Sequence, residues 1–170
     1  MSTPFRLEAL DLRHDVAHFK CGRPSIDAFI RGPALTEQSL GLSSVTVAVE
    51  RTAVTNGPPG SVSVVGFFSL SPTLIPVEPG LLKALGLPAV AYARVGGYLL
   101  GRLGVHKALQ GKRIGRALVA VAVDYARAGR AGAGGVFLAI DAEDPGLVSY
   151  YENLGFTRLH SGTLKMVMRL

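Results

Sequence analysis

The apolar and polar positions of this 170-residue chain predict alternating strands and helices along its whole length. Val45, Val47 and Val49 alternate with smaller or polar residues, which is typical of a half-buried strand. A second apolar run covers residues 62–70, and the Gly- and Pro-containing residues 55–61 separate the two runs. Such residues favour a turn, so the two runs are predicted to form a hairpin.

On the N-terminal side of this hairpin, the pattern predicts two short helices. Ser25 is expected to cap the first helix, Pro33 to interrupt it, and residues 34–40 to form the second. Residues 7–19 show no clear periodicity, although they could hold a first strand.

On the C-terminal side, residues 71–92 contain four prolines and are predicted to form a long substrate-side loop, with a short helix at 81–85. A strand is expected to end at Val105. The next helix is expected to carry Ile114, Leu118, Val121 and Tyr125 at helical spacing and to reach about residue 128. The last elements are predicted as a turn over 129–135, a buried strand over 136–140, a short helix around Tyr151 and a strand over 164–170.

Length and composition indicate one globular domain over residues 1–170. Hydrophobic residues make up 48% of the chain and charged residues 18%, which is enough apolar surface for a core. No uninterrupted apolar run has membrane-spanning length, and the N-terminus lacks a signal-peptide core. The single cysteine, Cys21, suits a reducing cytosol, so a cytoplasmic location is expected. Cys21 is interpreted as a small residue beside a turn glycine, with a nucleophile as the alternative.

The net charge of +6 favours polyanionic partners. Residues 101–170 hold ten Lys and Arg against five Asp and Glu, so the charge is concentrated in this part of the chain. A solvated basic face and a nucleic-acid footprint both remain open as explanations for the charge that a bound phosphate would not use. No metal site is predicted, because no ligand spacing links the four histidines, His14, His18, His106 and His160.

Residues 110–117 combine turn glycines with basic side chains directly before a helix. Gly111 and Gly115 allow close approach of the backbone, and unpaired N–H groups at a helix start bind anions. A pyrophosphate is the expected ligand, and an ordinary strand-to-helix turn is the alternative. The basic side chains are those of Lys112, Arg113 and Arg116.

A second motif follows at residues 144–156. Asp144 is predicted to cap a helix that begins at Pro145, and Gly155 to end it in a left-handed conformation. One face of this helix is predicted to carry Leu147, Tyr151 and Leu154.

Together the two motifs resemble the hallmarks of the GNAT N-acetyltransferases. The first resembles the acyl-CoA-binding pattern Gln/Arg-x-x-Gly-x-Gly/Ala, with Gln110 or Arg113 as the leading residue and Gly115 and Ala117 as the closing ones, although the residue three before Gly115 is Lys112. The second ends in Tyr-x-x-x-Gly-Phe. The resemblance covers most of the chain and is strongest over residues 99–156.

The resemblance implies an α/β GNAT fold, with a mixed, mostly antiparallel central sheet flanked by helices. Its two middle strands, here the one ending at Val105 and the one at 136–140, splay apart around acetyl-CoA, the implied cofactor. Tyr151 is implied as the proton donor to the CoA thiolate, with a packed aromatic as the alternative, and the N–H of Val105 as the donor to the thioester carbonyl. The cofactor-binding residues implied are Leu103, Gly104, Val105, Gln110, Gly111, Lys112, Arg113, Ile114, Gly115, Arg116, Ala117, Tyr150 and Asp144, which stands where the family often has Asn.

Two further stretches resemble the GNAT toxins of bacterial toxin–antitoxin pairs. Residues 19–30 look like their Cys-Gly-x-x-x-Leu/Ile-Asp opening, and residues 101–105 resemble their Gly-Arg-Leu-Ala-Val strand, with Gly104 in place of Ala. This resemblance implies acetylation of the α-amine of aminoacyl-tRNA and arrest of translation. It also implies a small ribbon-helix-helix DNA-binding antitoxin as partner and is compatible with a homodimer.

Two other functions remain open at this point. One is a GNAT enzyme that acetylates a small-molecule amine or a protein, and the other is a catalytically silent CoA-binding or protein-interaction module. If tRNA is the substrate, basic side chains outside the CoA site must contact its phosphates. The candidates are Arg94, expected on the connection over 71–98 just before the CoA-binding strand, and Arg23 and Arg31, which stand beside the Cys-Gly stretch.

Overall fold

In a computed structural model, which describes residues 5–50 and 61–170, the chain forms two compact units. Each unit is built from two separate stretches of sequence. The first unit comprises Met1–Leu70 and Arg102–Ala120, and the second comprises Ser71–Gly101 and Val121–Leu170. Three long elements run from one unit into the other: β4 (Val62–Pro76), β5 (Arg94–Val105) and α4 (Ile114–Ala133).

The strands of the first unit confirm the predicted hairpin. Its strands are β1 (Phe5–Ala9), β2 (His14–Asp15), β3 (Ser44–Glu50) and the start of β4. Strand β3 pairs antiparallel with both β1 and β4, and β2 pairs parallel with β4. Of the predicted turn at 55–61, residues 55–60 lie outside the described part of the chain.

The prediction of a half-buried β3 is wrong, because both faces of this strand are buried. Val45, Val47 and Val49 pack in one hydrophobic cluster with the N-terminal helices. On the other face, Ala48 pairs with Gly66, and a Cβ at Gly66 would lie 2.9 Å from Leu118 in α4. The small residues at the alternate positions therefore make room for a helix rather than for water.

Two short helices precede the hairpin, as predicted, but their first residues differ. Helix α1 is Pro24–Arg31 and helix α2 is Pro33–Ser39. Ser25 is not the N-cap: Arg23 holds that position without a side-chain cap, and proline follows at the first helical position. Proline suits this position because its fixed φ is helical and its missing N–H would have no helical acceptor.

The predicted loop over 71–92 is wrong for much of its length. Strand β4 continues to Pro76, and helix α3 (Pro79–Leu85) follows with Leu81 and Leu85 buried. The short helix predicted at 81–85 is confirmed within α3. Arg169 donates from Nη1 to the carbonyls of Leu85 (3.3 Å) and Gly86 (3.2 Å), so its guanidinium caps the C-terminus of α3.

The second unit continues with β6 (Phe137–Asp141), β7 (Thr157–Arg158) and β8 (Lys165–Arg169). Their order is β5-β6-β8-β7, with β5 and β6 parallel and the other pairs antiparallel. The parallel register joins Tyr98–Leu100 to Leu138–Ile140, and β5 runs five residues further to Val105. The two-residue β7 carries too little pattern for the sequence to predict it.

Helix α4 is longer than predicted, since it includes most of the Gly- and Ala-rich stretch after residue 128. Gly129 and Gly135 are needed for space: a Cβ at Gly129 would lie 2.7 Å from the Tyr98 hydroxyl oxygen, and a Cβ at Gly135 would lie 2.7 Å from the Tyr98 ring. The Tyr98 hydroxyl donates to the carbonyl of Gly134 (2.9 Å), where the chain takes a positive φ and leaves the helix. Of the apolar residues at helical spacing, Ile114 and Leu118 are buried, whereas Tyr125 is 46% exposed. The buried face also holds Val119, Ala122, Val123 and Ala126.

Candidate active site

The segment between β5 and α4 bends the chain sharply before the helix begins. A single 3-10 turn over Lys107–Leu109 follows the strand, and Gly111 then takes a φ of 78°. Arg113 has a φ of 63°, the left-handed region that glycine favours and arginine rarely adopts. A non-glycine residue held in this conformation is typical of a site where geometry is under functional constraint.

The start of α4 presents backbone N–H groups that have no acceptor within the helix. The N–H of Ala117 donates to the carbonyl of Arg113 (3.1 Å), which is the first hydrogen bond of the helix. The N–H groups of Ile114, Gly115 and Arg116 precede this bond and therefore lack helical acceptors. With the positive end of the helix dipole, they form an arrangement that binds anions.

Three basic residues stand beside these N–H groups in the sequence, and no acidic side chain in the described part of the protein neutralises their charge. Lys112, Arg113 and Arg116 are exposed, and none of them forms an ion pair within residues 5–50 and 61–170. A Cβ at Gly111 would meet no atom within 4 Å, so the turn is open on that side. The site can therefore receive a ligand with several negative charges.

Gln110, predicted as a cofactor contact, directs its donors to the protein itself. Its Nε2 donates to the carbonyls of Cys21 (2.7 Å) and Val105 (3.0 Å). Its main-chain N–H donates to the carbonyl of Lys107 at 3.4 Å. Gln110 therefore closes the turn internally, and the helix-start amides begin four residues later.

The end of β5 exposes main-chain groups on the side away from β4. The N–H of His106 donates to Val65 on β4 (2.8 Å), and successive residues of a strand direct these groups to opposite sides. The N–H groups of Leu103 and Val105 are therefore directed away from β4. A main-chain partner could pair with them as an added strand.

Gly104 differs from the alanine of the toxin pattern for a steric reason. A Cβ there would lie 2.9 Å from Ile26, 3.0 Å from Phe67 and 3.2 Å from Phe19. These side chains belong to the cluster beneath β5, and the Phe19 and Phe67 rings meet edge to face at 5.3 Å. The volume that an alanine methyl group would need at position 104 is therefore occupied by these three side chains.

The Cys-Gly stretch before α1 is held by a carboxylate that the sequence did not assign. Asp27 is buried, and its Oδ1 accepts the N–H of Cys21 at 2.7 Å. Burial opposes the charged form, but hydrogen bonds from Cys21 and the main chain of Gly22 hold the pKa of Asp27 below its usual value. The only sequence signal was its place in the toxin-like pattern, where Asp closes the motif.

Cys21 is not an activated nucleophile. Burial, together with the neighbouring Asp27 carboxylate, raises the pKa of the Cys21 thiol to about 11. The thiol is therefore neutral at physiological pH, whereas a nucleophilic cysteine needs a lowered pKa. The interpretation of Cys21 as a small packed residue fits this environment.

The three arginines predicted to contact tRNA have different environments. Arg31 donates from Nε and Nη2 to the carbonyl of Phe19, with the Nε distance at 3.1 Å, so its guanidinium holds the main chain. Arg23 is the N-cap residue of α1. Arg94 is the exposed first residue of β5, so the expectation that it lies on a connection before that strand is wrong. Arg102 lies over the Phe29 ring at 5.4 Å and has a packing role.

The second motif forms a 3-10 turn, Pro145–Leu147, and a short helix, α5 (Val148–Glu152). Asp144 holds the N-cap position with an extended backbone, but its side chain makes no capping hydrogen bond, so that part of the prediction is wrong. The left-handed stop is confirmed by the φ of 97° at Gly155.

Tyr151 is half-buried on α5 among other aromatic rings. Its ring meets Phe156 edge to face at 5.9 Å and Tyr150 at 5.1 Å, and Tyr150 is 37% exposed. These contacts orient the Tyr151 ring while part of its side chain stays accessible, which a proton donor requires.

Within the described residues, no group of three His, Cys, Asp or Glu side chains could hold a metal ion.

Comparisons with known proteins agree with this architecture. One curated relative, mycothiol acetyltransferase from Renibacterium salmoninarum, is 36% identical over 62 residues. The match covers 36% of this chain but only 18% of that protein's length.

Within residues 5–50 and 61–170, no helix has both the length and the apolar character needed to cross a membrane.

Solved structures of two toxins share the fold over nearly the whole chain. A tyrosine-to-phenylalanine mutant of KacT superposes with a TM-score of 0.83 at 17% identity, covering 98% of this chain and 95% of its own. AtaT complexed with acetyl-methionyl-tRNAfMet gives a TM-score of 0.80 at 20% identity, covering 97% and 94%. An AtaT mutant bound to acetyl-CoA and the C-terminus of the antitoxin AtaR gives 0.78 at 18% identity, covering 98% and 94%.

The family model described as acetyltransferase (GNAT) family matches residues 63–156, which is more than half of the chain. That segment contains the end of β5, the turn with its three basic residues, the start of α4 and the Tyr151 helix. The chain therefore belongs to the acetyltransferase (GNAT) family.

Proposed function

We propose that this protein is an acetyl-CoA-dependent N-acetyltransferase that modifies the α-amine of aminoacyl-tRNA and so blocks translation. The observation that carries the proposal is the start of α4, where three amides without helical acceptors lie among three basic side chains without ion pairs in the described chain. Family membership supports the acetyl transfer, and the AtaT complex with acetyl-methionyl-tRNAfMet supports the choice of acceptor.

In this proposal, the acetyl donor binds along the end of β5 and onto the helix start. The N–H of Leu103 is directed away from β4 and would pair with a carbonyl of the pantetheine arm, while the N–H of Val105, directed to the same side, would face the thioester. The amides of Ile114, Gly115 and Arg116 would hold the pyrophosphate. The other residues proposed to bind the cofactor are Gly104, Gln110, Gly111, Lys112, Arg113 and Ala117 on this segment and, in the second motif, Asp144 and Tyr150.

Bound acetyl-CoA supplies an activated acyl group and a thiolate leaving group. The N–H of Val105 would donate to the carbonyl oxygen as negative charge develops there. The Tyr151 hydroxyl would donate its proton to the departing sulfur, since a phenol of reference pKa about 10 is protonated at neutral pH. An α-amine, with a pKa of about 7.7–8.0, is already partly neutral at this pH and needs less help from a base than a lysine amine.

The acceptor would be bound through its phosphates. Arg94 is the first candidate, because it is exposed and makes no ion pair within residues 5–50 and 61–170. Arg23 and Arg31 are secondary candidates, since Arg31 already binds the Phe19 carbonyl. The net charge of +6 is consistent with a tRNA substrate and predicts that binding weakens steeply with salt.

The proposed partner is a small ribbon-helix-helix antitoxin, which the AtaT–AtaR complex supports by similarity of fold. The proposed site of action is the cytoplasm, where charged tRNA is found, and a homodimer is compatible with this function. A second candidate function, acetylation of a small-molecule or protein amine, is favoured by the similarity to mycothiol acetyltransferase.

The test is transfer of labelled acetyl groups from acetyl-CoA to bulk aminoacyl-tRNA by the purified chain. We expect acetylated aminoacyl-tRNA at low salt, and we expect Arg94→Glu to raise the KM for tRNA while the affinity for acetyl-CoA is unchanged. Polyamines and peptides serve as competing acceptors. If they are acetylated and tRNA is not, even at low salt, the second candidate replaces the first.

A further inference from the structure

A short network of hydrogen bonds joins the Cys-Gly stretch to the end of β5. The N–H of Lys107 donates to the carbonyl of Lys20 at 2.8 Å. Gln110 extends the same connection, because its Nε2 donates to Cys21 at 2.7 Å and to Val105 at 3.0 Å. Cys21 is in turn fixed from α1 by Asp27. A continuous path therefore runs from a buried carboxylate to the last residue of the strand.

The carboxamide of Gln110 is suited to this position by its two N–H donors. Two backbone carbonyls, of Cys21 and Val105, converge on one nitrogen, and each takes one of its hydrogens. A carboxylate of the same shape would offer no donor when ionised and would place negative charge beside both carbonyls. A methionine of similar length would fill the space and leave both carbonyls without this partner.

We propose that Gln110 is a positioning residue for acetyl transfer. By holding the Val105 carbonyl, it fixes the end of β5 relative to the turn that leads into α4. The oxyanion donor at Val105 and the pyrophosphate amides at Ile114–Arg116 are thereby held at one spacing. This inference rests on the proposed function. In it, the Gln110 side chain holds main-chain carbonyls in place and does not bind the cofactor.

The chain contains a matched control for a purely structural glutamine. Gln38 also bridges two backbone groups, because its Nε2 donates to Leu10 and its Oε1 accepts the N–H of Val45 at 2.8 Å. This bridge joins α2 to the start of β3, apart from every residue assigned to acetyl transfer. Loss of either glutamine is expected to lower the free energy of unfolding by a similar amount. A loss of kcat in the Gln110 variants alone would therefore reflect a positioning role and not a loss of stability.

The experiment compares Gln110→Met, Gln110→Glu and Gln38→Met with the wild type. We expect both Gln110 variants to lose about 10–100-fold in kcat, because an ångström of misplacement at a reacting centre has effects of this size. Their calorimetric Kd for acetyl-CoA, measured without acceptor, is expected to stay within about threefold, since the helix-start amides remain. Gln38→Met is expected to keep kcat within about twofold, although its melting temperature falls.

A spectroscopic measurement tests the same geometry without an acceptor. The carbonyl stretch of bound acetyl-CoA carrying ¹³C at that carbon is expected at lower frequency in the wild type and in Gln38→Met than in either Gln110 variant. Equal frequencies in all proteins, a kcat loss shared by Gln38→Met, or a loss confined to Kd would overturn the inference. Gln110→Glu serves if Gln110→Met does not fold.

The two proposals fail in different ways. A wild-type protein that does not bind acetyl-CoA overturns the proposed function itself. A wild-type protein that binds acetyl-CoA but acetylates no tested amine overturns the acceptor assignment, while the carbonyl frequency still decides the role of Gln110.

Discussion

Replacing Arg113 with glycine is expected to stabilise the protein and to weaken its hold on acetyl-CoA at the same time. Arg113 has a φ of 63°, and a left-handed conformation costs a non-glycine residue about 1–2 kcal/mol. Glycine removes this cost but loses about 0.4–1 kcal/mol through the greater freedom of the unfolded chain. The free energy of unfolding should therefore rise by about 0.5–1 kcal/mol, or about 1–4 °C in melting temperature for a chain of this size.

The affinity should change in the opposite direction because a positive charge is lost. One unit charge about 6 Å from a phosphate charge contributes about 0.7 kcal/mol in water, so the Kd for acetyl-CoA should rise about threefold or more at low salt. Arg113→Ala is the matched control, since it loses the same charge but keeps the steric cost of a Cβ at positive φ.

Thermal unfolding and calorimetry on the three proteins separate the two effects. Both variants should bind acetyl-CoA with the same reduced affinity, and only Arg113→Gly should melt above the wild type. If Arg113→Gly is no more stable than Arg113→Ala, the turn is not strained and the reasoning fails.

Three further outcomes are expected. Tyr151→Phe should keep the acetyl-CoA affinity and lower turnover by about 10²–10⁴, the scale of general acid catalysis, whereas turnover within twofold of the wild type would leave Tyr151 as a packing residue. Gly104→Ala should lower the free energy of unfolding by about 1–3 kcal/mol in urea titrations, because its Cβ would crowd Ile26 and Phe67; an unchanged midpoint would mean that the cluster yields freely. The raised pKa of Cys21 means that the folded thiol keeps its proton after the unfolded thiol loses it, so stability should fall between about pH 9 and pH 11. The decrease should be larger in the wild type than in Cys21→Ala, and equal pH profiles would contradict it.

The elements with a strong local signal could be predicted from the sequence. The hairpin followed from alternating apolar residues, and the start of α4 followed from apolar spacing after a glycine-bearing turn. The sequence does not reveal the full length of β4, because proline is more often a loop residue than a strand residue. Pro72 and Pro76 are exposed positions on that strand, where proline can be tolerated.

The turn before α4 was predicted as a phosphate site from local residue types, but its internal support was not. Gln110 and Cys21 are 89 positions apart, and no local periodicity links a glutamine to a carbonyl at that distance. Asp27 and Arg31 also bind main-chain groups outside their own helix, six and twelve positions away, and no periodicity of the sequence indicates these contacts. The sequence shows which residue types are present, whereas these hydrogen bonds to main-chain groups depend on how the chain folds.

The interleaving of the two units has a consequence for synthesis on the ribosome. The first unit needs residues 102–120, although the hydrophobic cluster that contains Phe19 and Phe67 is complete once residue 67 has been made. A nascent chain that stops before residue 102 has this cluster but lacks the end of β5, the basic turn and the first turns of α4. Because domains tend to fold as they emerge, an unfinished chain can begin to collapse without acquiring an anion site. Under the proposed function, acetylation of aminoacyl-tRNA by a nascent chain would therefore have to wait until residues 102–120 have been translated.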